Sequence, residues 1–550
     1  MKEINCGNDW WKWGPAENRL TINHYPKLKT YLEDKWKISL DEAIPAPSSF
    51  LSTTDEKRAQ QVEEIFRSQL PEIKYSSDAV LRLKKSSGKS CPDLLNALNN
   101  VPFAIPDGVA FPKNHEEVSA FLRVASENII QVIPFGGGSN VVRAFNLPDG
   151  NIQPRIVLDL ADMNNLIQID KYNHTATFQC GIYGPALEEI LNVQGFTMGH
   201  FPQSFQYSTL GGWIVTRSAG QESSAYGRIE DIMISLKAAT PAGTISTSKY
   251  EGDAEGINIK GLFLGSEGVL GVVTEATVRI HPLPKNKRWY VGIFPSFESG
   301  VGMMRELIQE GIHPSLVRFS DEVETNFFSF LSVENSKLKT SLQNIFFKLK
   351  GLKHPSVMMI RFDGEEESCN NKRIAKKIAR KHGGVYVGES IGKKWELNRF
   401  TTPYLREDLM ERGILIDTFE TVVHWDKLNS LRIKLQNRFH ASDAFHKDKG
   451  ILLAHVSHVY NSCACIYFTY QTIRNRGKDY EQWKELKTIA NDVLFEEGAA
   501  VSHHHSVGID HQKPYLLKTD ELTKTILRTI KQKVDPNHIL NPGKLFDEQN

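Results

Sequence analysis

The chain has 550 residues, 40% of them hydrophobic and 24% charged, with 66 Lys and Arg set against 65 Asp and Glu. That length holds two or more domains, and a formal charge of +1 gives no global field for a polyanion, so no nucleic acid is expected as a partner. No apolar run is long enough to span a membrane, no apolar leader opens the chain, and the six scattered cysteines form no CxxC pair, which points to reduced thiols in a cytoplasm.

Residues 1–97 read as a helical, linker-like segment. Trp10, Trp11 and Trp13 cluster before Gly14-Pro15 and are expected to pack on another part of the chain. Thr54-Asp55-Glu56-Lys57 opens an amphipathic helix carrying Val62, Ile65, Phe66 and Leu70, and Ser76-Ser77-Asp78 opens another. From Pro102 onward short β-rich runs alternate with compact helices. The run Ile129-Ile130-Gln131-Val132-Ile133 predicts a buried strand, and Pro134-Phe135-Gly136-Gly137-Gly138-Ser139-Asn140 follows it. Three glycines there permit φ > 0 and a close ligand approach, and successive N–H groups in such a turn suit a phosphate. Taken alone the stretch is as well explained by a plain turn. No Gly-Lys-Ser/Thr follows, and it is not a GxGxxG opening a dinucleotide helix.

A second segment runs from Gly199 to Gly220. In it Ser208 and Thr209 can cap a helix whose first turn holds Gly211 and Gly212, a platform for an anion. Residues 229–240 read as a strand. The third segment, from Gly261 to Arg279, is a Gly-spaced turn feeding a β-branched strand, closed by Pro282 and Pro284. Beyond it, strand patterns at 290–294 and 356–362 alternate with amphipathic helices at 301–310 and 372–382, an α+β pattern. Apolar strands at 450–459 and 463–470 are expected at the centre of that sheet. A helix at 481–496 leads to Ser502-His503-His504-His505-Ser506.

Three Gly-rich segments in this order resemble those of the vanillyl-alcohol-oxidase/PCMH family of FAD-binding oxidases, whose usual ending is matched by Asn541-Pro542-Gly543-Lys544. The resemblance implies an α+β fold. A two-lobed PCMH-type FAD-binding domain would cover 98–284 and an α+β cap 285–500, with 501–550 completing the active site behind the N-terminal segment 1–97. Within the family the chain is most similar to the alkyldihydroxyacetonephosphate synthases and their bacterial relatives. Tyr404-Leu405-Arg406, Cys465-Ile466-Tyr467-Phe468, the histidine run with Ser506-Val507-Gly508, and the N-terminal Trp-Lys-Trp-Gly carry that likeness.

By that resemblance FAD would be held by Pro134, Phe135, Gly136, Gly137, Gly138, Ser139 and Asn140; by Gln203, Ser204, Phe205, Gln206, Tyr207, Ser208 and Thr209; by Thr216, Arg217, Ser218 and Ala219; and by Glu267, Gly268, Val269, Leu270, Gly271, Val272 and Val273. It would be noncovalent, since no histidine or cysteine lies in the 136–140 turn. Arg406 would hold a substrate phosphate, with His200 and Arg318 as further substrate residues. Tyr467 would be the acid/base, and His503, His504 and His505 would line the site. The implied reaction exchanges the acyl group of acyl-dihydroxyacetone phosphate for a long-chain fatty alcohol through a flavin N5 adduct, without net oxidation. A homodimer with peripheral membrane contact is expected.

Each residue also has an ordinary explanation: a salt bridge of Arg406 with Glu407 or Asp408, a core position for Tyr467, a metal for the histidines. No metal is expected, because no carboxylate or cysteine stands beside the histidines in sequence. A phenol acting as a base needs a lowered pKa, and the histidines are the expected source of that field. Two departures from the synthases stand out. The chain reads His200-Phe201-Pro202-Gln203-Ser204 where many have His-Glu-Pro-Asp-Ser, and its end carries no peroxisomal address. An FAD-dependent 2-hydroxy-acid or alcohol dehydrogenase is the alternative enzyme, although its metal stretch is replaced by His455-Val456-Ser457-His458. A non-catalytic flavin-binding protein is the second alternative.

Overall fold

Three sheets organise the chain, two of them facing each other across the Gly-rich turns and the third laid over both. The computed structural model describes residues 2–7, 9–147, 153–331 and 355–546; residues 547–550, read above for a peroxisomal address, lie outside them.

The first lobe is a four-stranded sheet ordered Lys74–Ser76, Gly108–Phe111, Arg155–Asp159, Gln131–Phe135, its last three strands parallel. Helix His115–Glu127 covers it through Val118, Phe121, Leu122 and Ala125, all fully buried at helical spacing. Asn114 caps that helix by accepting from the Glu117 N–H at 2.9 Å. Strand Gln131–Phe135 lies at the sheet edge. Its free side is taken by the C-terminal segment: the Val132 N–H donates to the Ile539 carbonyl at 2.8 Å and the Asn541 N–H to the Val132 carbonyl at 2.9 Å. An edge that would otherwise invite foreign strands is thereby closed by the chain itself.

The second lobe is a five-stranded antiparallel sheet ordered Gly243–Ser246, Met233–Thr240, Val272–Arg279, Thr175–Gln179, Leu166–Asp170. Asn541 ties the lobes together, its side-chain amide donating to the carbonyls of Ala144 (2.8 Å) and Glu267 (2.6 Å).

The cap is a seven-stranded antiparallel sheet ordered Val385–Gly388, Lys287–Phe294, Ser356–Asp363, Leu316–Ser320, Ile451–Val459, Cys463–Ile473, Ile414–His424. Alternation gives its faces opposite characters. The register that pairs Phe419 with Phe468 and Phe468 with Ala454 makes an apolar row, its two phenyl rings stacked at 4.9 Å, and helices Phe297–Gln309, Glu366–Lys381, Leu428–Ala441 and Asp479–Glu496 share one core with it. One residue earlier in sequence, the register pairs Tyr467 with Glu420 on one side and with His455 on the other, and His455 with Ser320. That polar row belongs to the opposite face.

Several local expectations need correction. The N-terminal segment is not wholly helical: Lys2–Asn5 pairs with Ser49–Ser52, and Lys74–Ser76 joins the first lobe. The strand expected from Ile129 starts at Gln131, because Ile129 adopts φ 52 at the end of the helix turn. The expected strand 229–240 opens with a helical turn, Ile229–Ile232, before strand Met233–Thr240. Among Gly136, Gly137 and Gly138 only Gly138 has positive φ (67°). The other two are needed for close approach: a Cβ on Gly136 would lie 2.4 Å from Thr209 Oγ1, and one on Gly137 would lie 1.8 Å from the Tyr207 carbonyl oxygen.

Candidate active site

The cradle between the lobes comes first. Residues Gly136–Asn140 keep some accessible surface, while Phe135 beneath them is buried. Asn140 locks the turn, its Oδ1 accepting from the N–H groups of Val142 and Ala144, both at 2.9 Å. Against it lies the second segment, where Thr209 caps helix Leu210–Thr216 through the Gly212 N–H at 3.3 Å. Gln206 and Tyr207 reach the cap: the Tyr404 hydroxyl donates to Gln206 Oε1 at 3.0 Å and is 2.6 Å from the Tyr207 hydroxyl. Gln203 is exposed and donates to the Arg399 carbonyl at 2.7 Å.

Other residues expected at the cofactor support the cradle from behind. Phe205 stacks on Phe400 at 5.4 Å, and Ser208 accepts from the Trp213 indole at 2.7 Å while donating to the Ser204 carbonyl. Thr216 donates to the Gly212 carbonyl, Ala219 is buried, and exposed Arg217 pairs with Glu230. Glu267 to Val273 are buried, with Gly268 so placed that a Cβ would meet the Pro134 ring at 3.1 Å. Glu267 Oε1 accepts from the N–H groups of Val507 (2.7 Å) and Gly508 (2.8 Å) and from the Ser506 hydroxyl.

The cradle passes a fit test for a flavin dinucleotide. Its turn has no room for side chains at Gly136 and Gly137, and buried polar atoms of neighbouring segments (Glu267 Oε2, Ser266 Oγ, His505 Nδ1, Arg228 Nε) have no hydrogen-bond partner among the described residues. Buried polar groups are rarely left so, and a polar ligand supplies the missing partners.

The cap's polar face meets the second segment, His458 Nε2 lying 2.9 Å from the Gly220 carbonyl. Tyr467 has His455 and Glu420 as its cross-strand neighbours, with His455 stacked at 5.2 Å, His504 stacked at 5.9 Å and His505 edge-on at 5.4 Å between ring centroids. His455 is held as a neutral imidazole. Its Nε2 lies 3.0 Å from an Arg318 Nη and its Nδ1 lies 2.9 Å from Glu324 Oε1, and Arg318 also pairs with Glu324 at 2.9 Å. Burial and the Arg318 charge push its pKa down, against the pull of Glu324.

The histidine run is a bend. Three successive N–H groups, of His503 (2.6 Å), His504 (3.0 Å) and His505 (2.9 Å), converge with the Ser502 hydroxyl (2.7 Å) on the fully buried carboxylate of Glu420. Burial works against that charge. The facing imidazoles, which gain charge in the acid range where this carboxyl would take up a proton, and the backbone donors outweigh it and hold the carboxyl well below its ordinary range. Glu420 is the residue that sequence reasoning missed. Its only signal was a charge within the apolar strand Ile414–His424.

Neither is the histidine run without a cysteine. Ring nitrogens of His458, His503 and His504 and the Cys465 sulfur lie within 4.8 Å of one another, and Glu420 groups likewise with His504 and His505. A register shift between Val456 and His458 is the cause: this bulge pairs His458 with Cys465, two residues from Tyr467 on the same face. The donors are already engaged, His458 with the Gly220 carbonyl and Ser457, His503 with the Tyr460 hydroxyl at 2.6 Å and with His504.

The expected electrostatic role of these histidines is reversed. Burial lowers His504 and His458 to about 3, and His503 and His505 also shift down, so the run is neutral near pH 7 and supplies no positive field. Tyr467 is accordingly raised, by burial first and then by Glu420 and Asp417, with Thr418 and Arg406 opposing. At rest it is a neutral phenol.

Arg406 makes the ordinary ion pair, Nε and Nη2 donating to Glu407 Oε1 at 3.1 and 2.9 Å, and its Nη1 donates to the Lys89 carbonyl at 3.1 Å. His200 is wholly enclosed, 4.9 Å from the Trp213 ring, with Nε2 3.2 Å from the Ser218 hydroxyl. It is the one expected substrate residue that the structure shuts away from open space.

Comparison with known proteins agrees with this architecture. The FAD binding domain model matches residues 106–249, and the model of the FAD linked oxidases, C-terminal domain, matches residues 283–545. The chain is 32% identical to an alkyldihydroxyacetonephosphate synthase of Dictyostelium discoideum over 95% of this chain and 88% of that one, and 30% identical to that of Caenorhabditis elegans over 98% and 95%. A solved structure of an alkyldihydroxyacetonephosphate synthase superposes with TM-score 0.82 at 27% identity, covering 98% of each chain. The protein is an FAD-dependent enzyme of the PCMH type, and it belongs to the alkyldihydroxyacetonephosphate synthase family.

Proposed function

We propose that this enzyme replaces the acyl group of acyl-dihydroxyacetone phosphate with a long-chain fatty alcohol, the ether-forming step of ether-lipid synthesis. The observation that carries the reading is the cross-sheet row Glu420–Tyr467–His455, closed by the histidine bend and coupled electrostatically to Arg406. FAD, when bound, supplies a ring system that takes up and returns electron density at the reacting carbon, so that the exchange involves no net oxidation.

The residues supply proton handling and position. Tyr467 Oη, protonated at rest, takes the substrate C1 proton as it passes its own to a neutral imidazole, for which His505, edge-on to the ring and with its Nδ1 without a hydrogen-bond partner among the described residues, is the acceptor, while His504 and His455 stack on the ring and hold it in place. Tyr467 returns a proton to C1 once the acyl group has left as its carboxylate and the alcohol has entered; the imidazole then hands its proton back to Tyr467, and the hydroxyl proton of the alcohol is released to solvent. Glu420 fixes the histidine bend by its four donors, and Arg318 with Glu324 fixes the His455 tautomer. Arg406 offers a planar fork for the phosphate once its pairing with Glu407 is exchanged. A homodimer and cytoplasmic, peripheral membrane association belong to the same proposal.

The test is incubation with acyl-dihydroxyacetone phosphate and labelled hexadecanol. An ether product that accumulates without reduction of an external acceptor supports the reading. Sustained acceptor reduction with a hydroxy acid or alcohol, and no ether, overturns it in favour of a dehydrogenase.

A further inference from the structure

Lys89 belongs to the N-terminal segment, in Ser86-Ser87-Gly88-Lys89-Ser90 before the short helix Cys91–Leu98. Its backbone N–H donates to the Asn140 carbonyl at 2.8 Å, which fastens it to the end of the Gly-rich turn. Neighbouring Gly88 is there for the same contact, since a Cβ would come 2.5 Å from that carbonyl oxygen. Its own carbonyl accepts from Arg406 at 3.1 Å. Three parts of the chain therefore meet at one residue: the N-terminal segment, the cofactor turn and the cap.

The ammonium of Lys89 is poorly compensated. Its hydrogen bond goes to the Trp11 carbonyl at 2.9 Å, and among the described residues it forms no ion pair. Glu407, the nearest candidate, is already taken by two guanidinium nitrogens of Arg406. Yet the side chain is desolvated, and burial pulls its pKa down to about 8, with Arg406 and Arg19 pushing the same way and Glu407 and Asp93 opposing. The residue still keeps some accessible surface, so a small ligand can reach it. A desolvated cation with two free donors, beside a second cation whose charge also acts on Tyr467, is costly unless an anion joins them.

We infer that Lys89 and Arg406 together bind a phosphate monoester, Lys89 as a point charge and Arg406 as a fork, with the phosphate of the dihydroxyacetone phosphate unit as its source. This deepens the function proposed above and rests on it for the identity of the substrate, although not for the binding of phosphate. The diphosphate of FAD is the other source of the same chemistry, because Lys89 is fastened to the cofactor turn.

The experiment uses the FAD-loaded enzyme titrated with dihydroxyacetone phosphate, read by the change in flavin absorbance or fluorescence, with FAD content measured on the same samples. Lys89→Met is expected to weaken binding about 10- to 100-fold with FAD content unchanged, the range for losing a charge-assisted hydrogen bond. Lys89→Arg, which keeps charge and reach, is expected to restore most of the affinity. In the unmutated enzyme binding weakens as pH rises through about 8, because Lys89 then loses its proton; in Lys89→Arg it stays flat to pH 10. Unchanged affinity in Lys89→Met overturns the inference. So does loss of FAD in Lys89→Met with Lys89→Arg holding FAD normally, which assigns the charge to the cofactor diphosphate. If the unmutated enzyme forms no ether yet binds dihydroxyacetone phosphate through Lys89, the proposed reaction fails and this inference stands.

Discussion

The cofactor cradle and the polar face of the cap are built by opposite means. The cradle is made by omission: glycines at 136 and 137 leave no side chain where Thr209 and Tyr207 press against the turn. The cap face is made by excess: one row of buried charge and imidazole laid across a sheet whose other face is plain apolar core. A cradle of backbone tolerates many side-chain changes around it and no Cβ within it. A network of buried polar side chains is sensitive at every member, because removing one leaves the others without partners.

The largest expected effect breaks the cradle. Gly137→Ala places a methyl group 1.8 Å from the Tyr207 carbonyl, a backbone atom that cannot step aside. The protein is expected to purify with at least about tenfold less FAD and correspondingly little activity, measured by the flavin absorbance per chain. Normal FAD content would show that the turn does not meet the cofactor. The same preparation tests attachment: acid denaturation of the unmutated protein should release all yellow colour, since no histidine or cysteine lies in the turn.

On the cap face, Tyr467→Phe removes one hydroxyl from a site otherwise unchanged. Ether formation is expected to fall about 10²- to 10⁴-fold while FAD stays bound, the usual range for a general acid–base residue. Glu420→Gln comes next. It keeps the shape but turns an acceptor of four donors into a group whose own NH₂ faces N–H groups. A loss of about 3 kcal/mol in stability to denaturant is expected, with activity falling because the histidine bend is released. A variant as stable and as active as the parent would mean that the bend does not depend on Glu420.

These two regions also differ in how far they could be read from sequence. The cradle is local. Its glycines, the Thr209 cap and the helix behind it lie in short continuous stretches, so spacing and propensity reveal them. The two apolar strands of the α+β cap were legible for the same reason, as continuous apolar runs; they lie inside the sheet but fifth and sixth of seven, with Leu316–Ser320 at the centre where these two were expected. The cap site was legible only by resemblance. Glu420 meets histidines more than eighty positions later, and nothing near either stretch marks the other. His455 and His458, three apart in a strand, should point to opposite faces; the bulge that unites them has no sequence signature here. The histidines were expected to be a source of positive charge because imidazole titrates near neutrality, but burial decides otherwise, and burial is a property of the fold.

That reversal gives the smallest and most pointed prediction. A histidine whose folded pKa is depressed takes up its proton more readily when unfolded, so its contribution to stability is complete above the unfolded pKa of about 6.5 and is lost as pH falls below it. For His504, lowered to about 3, the loss amounts to about 1.4 kcal/mol per pH unit, or about 2 kcal/mol between pH 6.5 and 5. Buried carboxyls such as Glu188 and Asp321, both raised to about 7, act in the opposite direction over the same range, so the total pH profile does not isolate the histidine. The difference between the unmutated protein and His504→Asn does. Denaturant unfolding at pH 6.5 and pH 5 should show the variant losing less stability, by about 2 kcal/mol. Equal losses would mean that His504 is already protonated in the native site, and the relay from Tyr467 to a neutral imidazole would then lose one of its neutral neighbours.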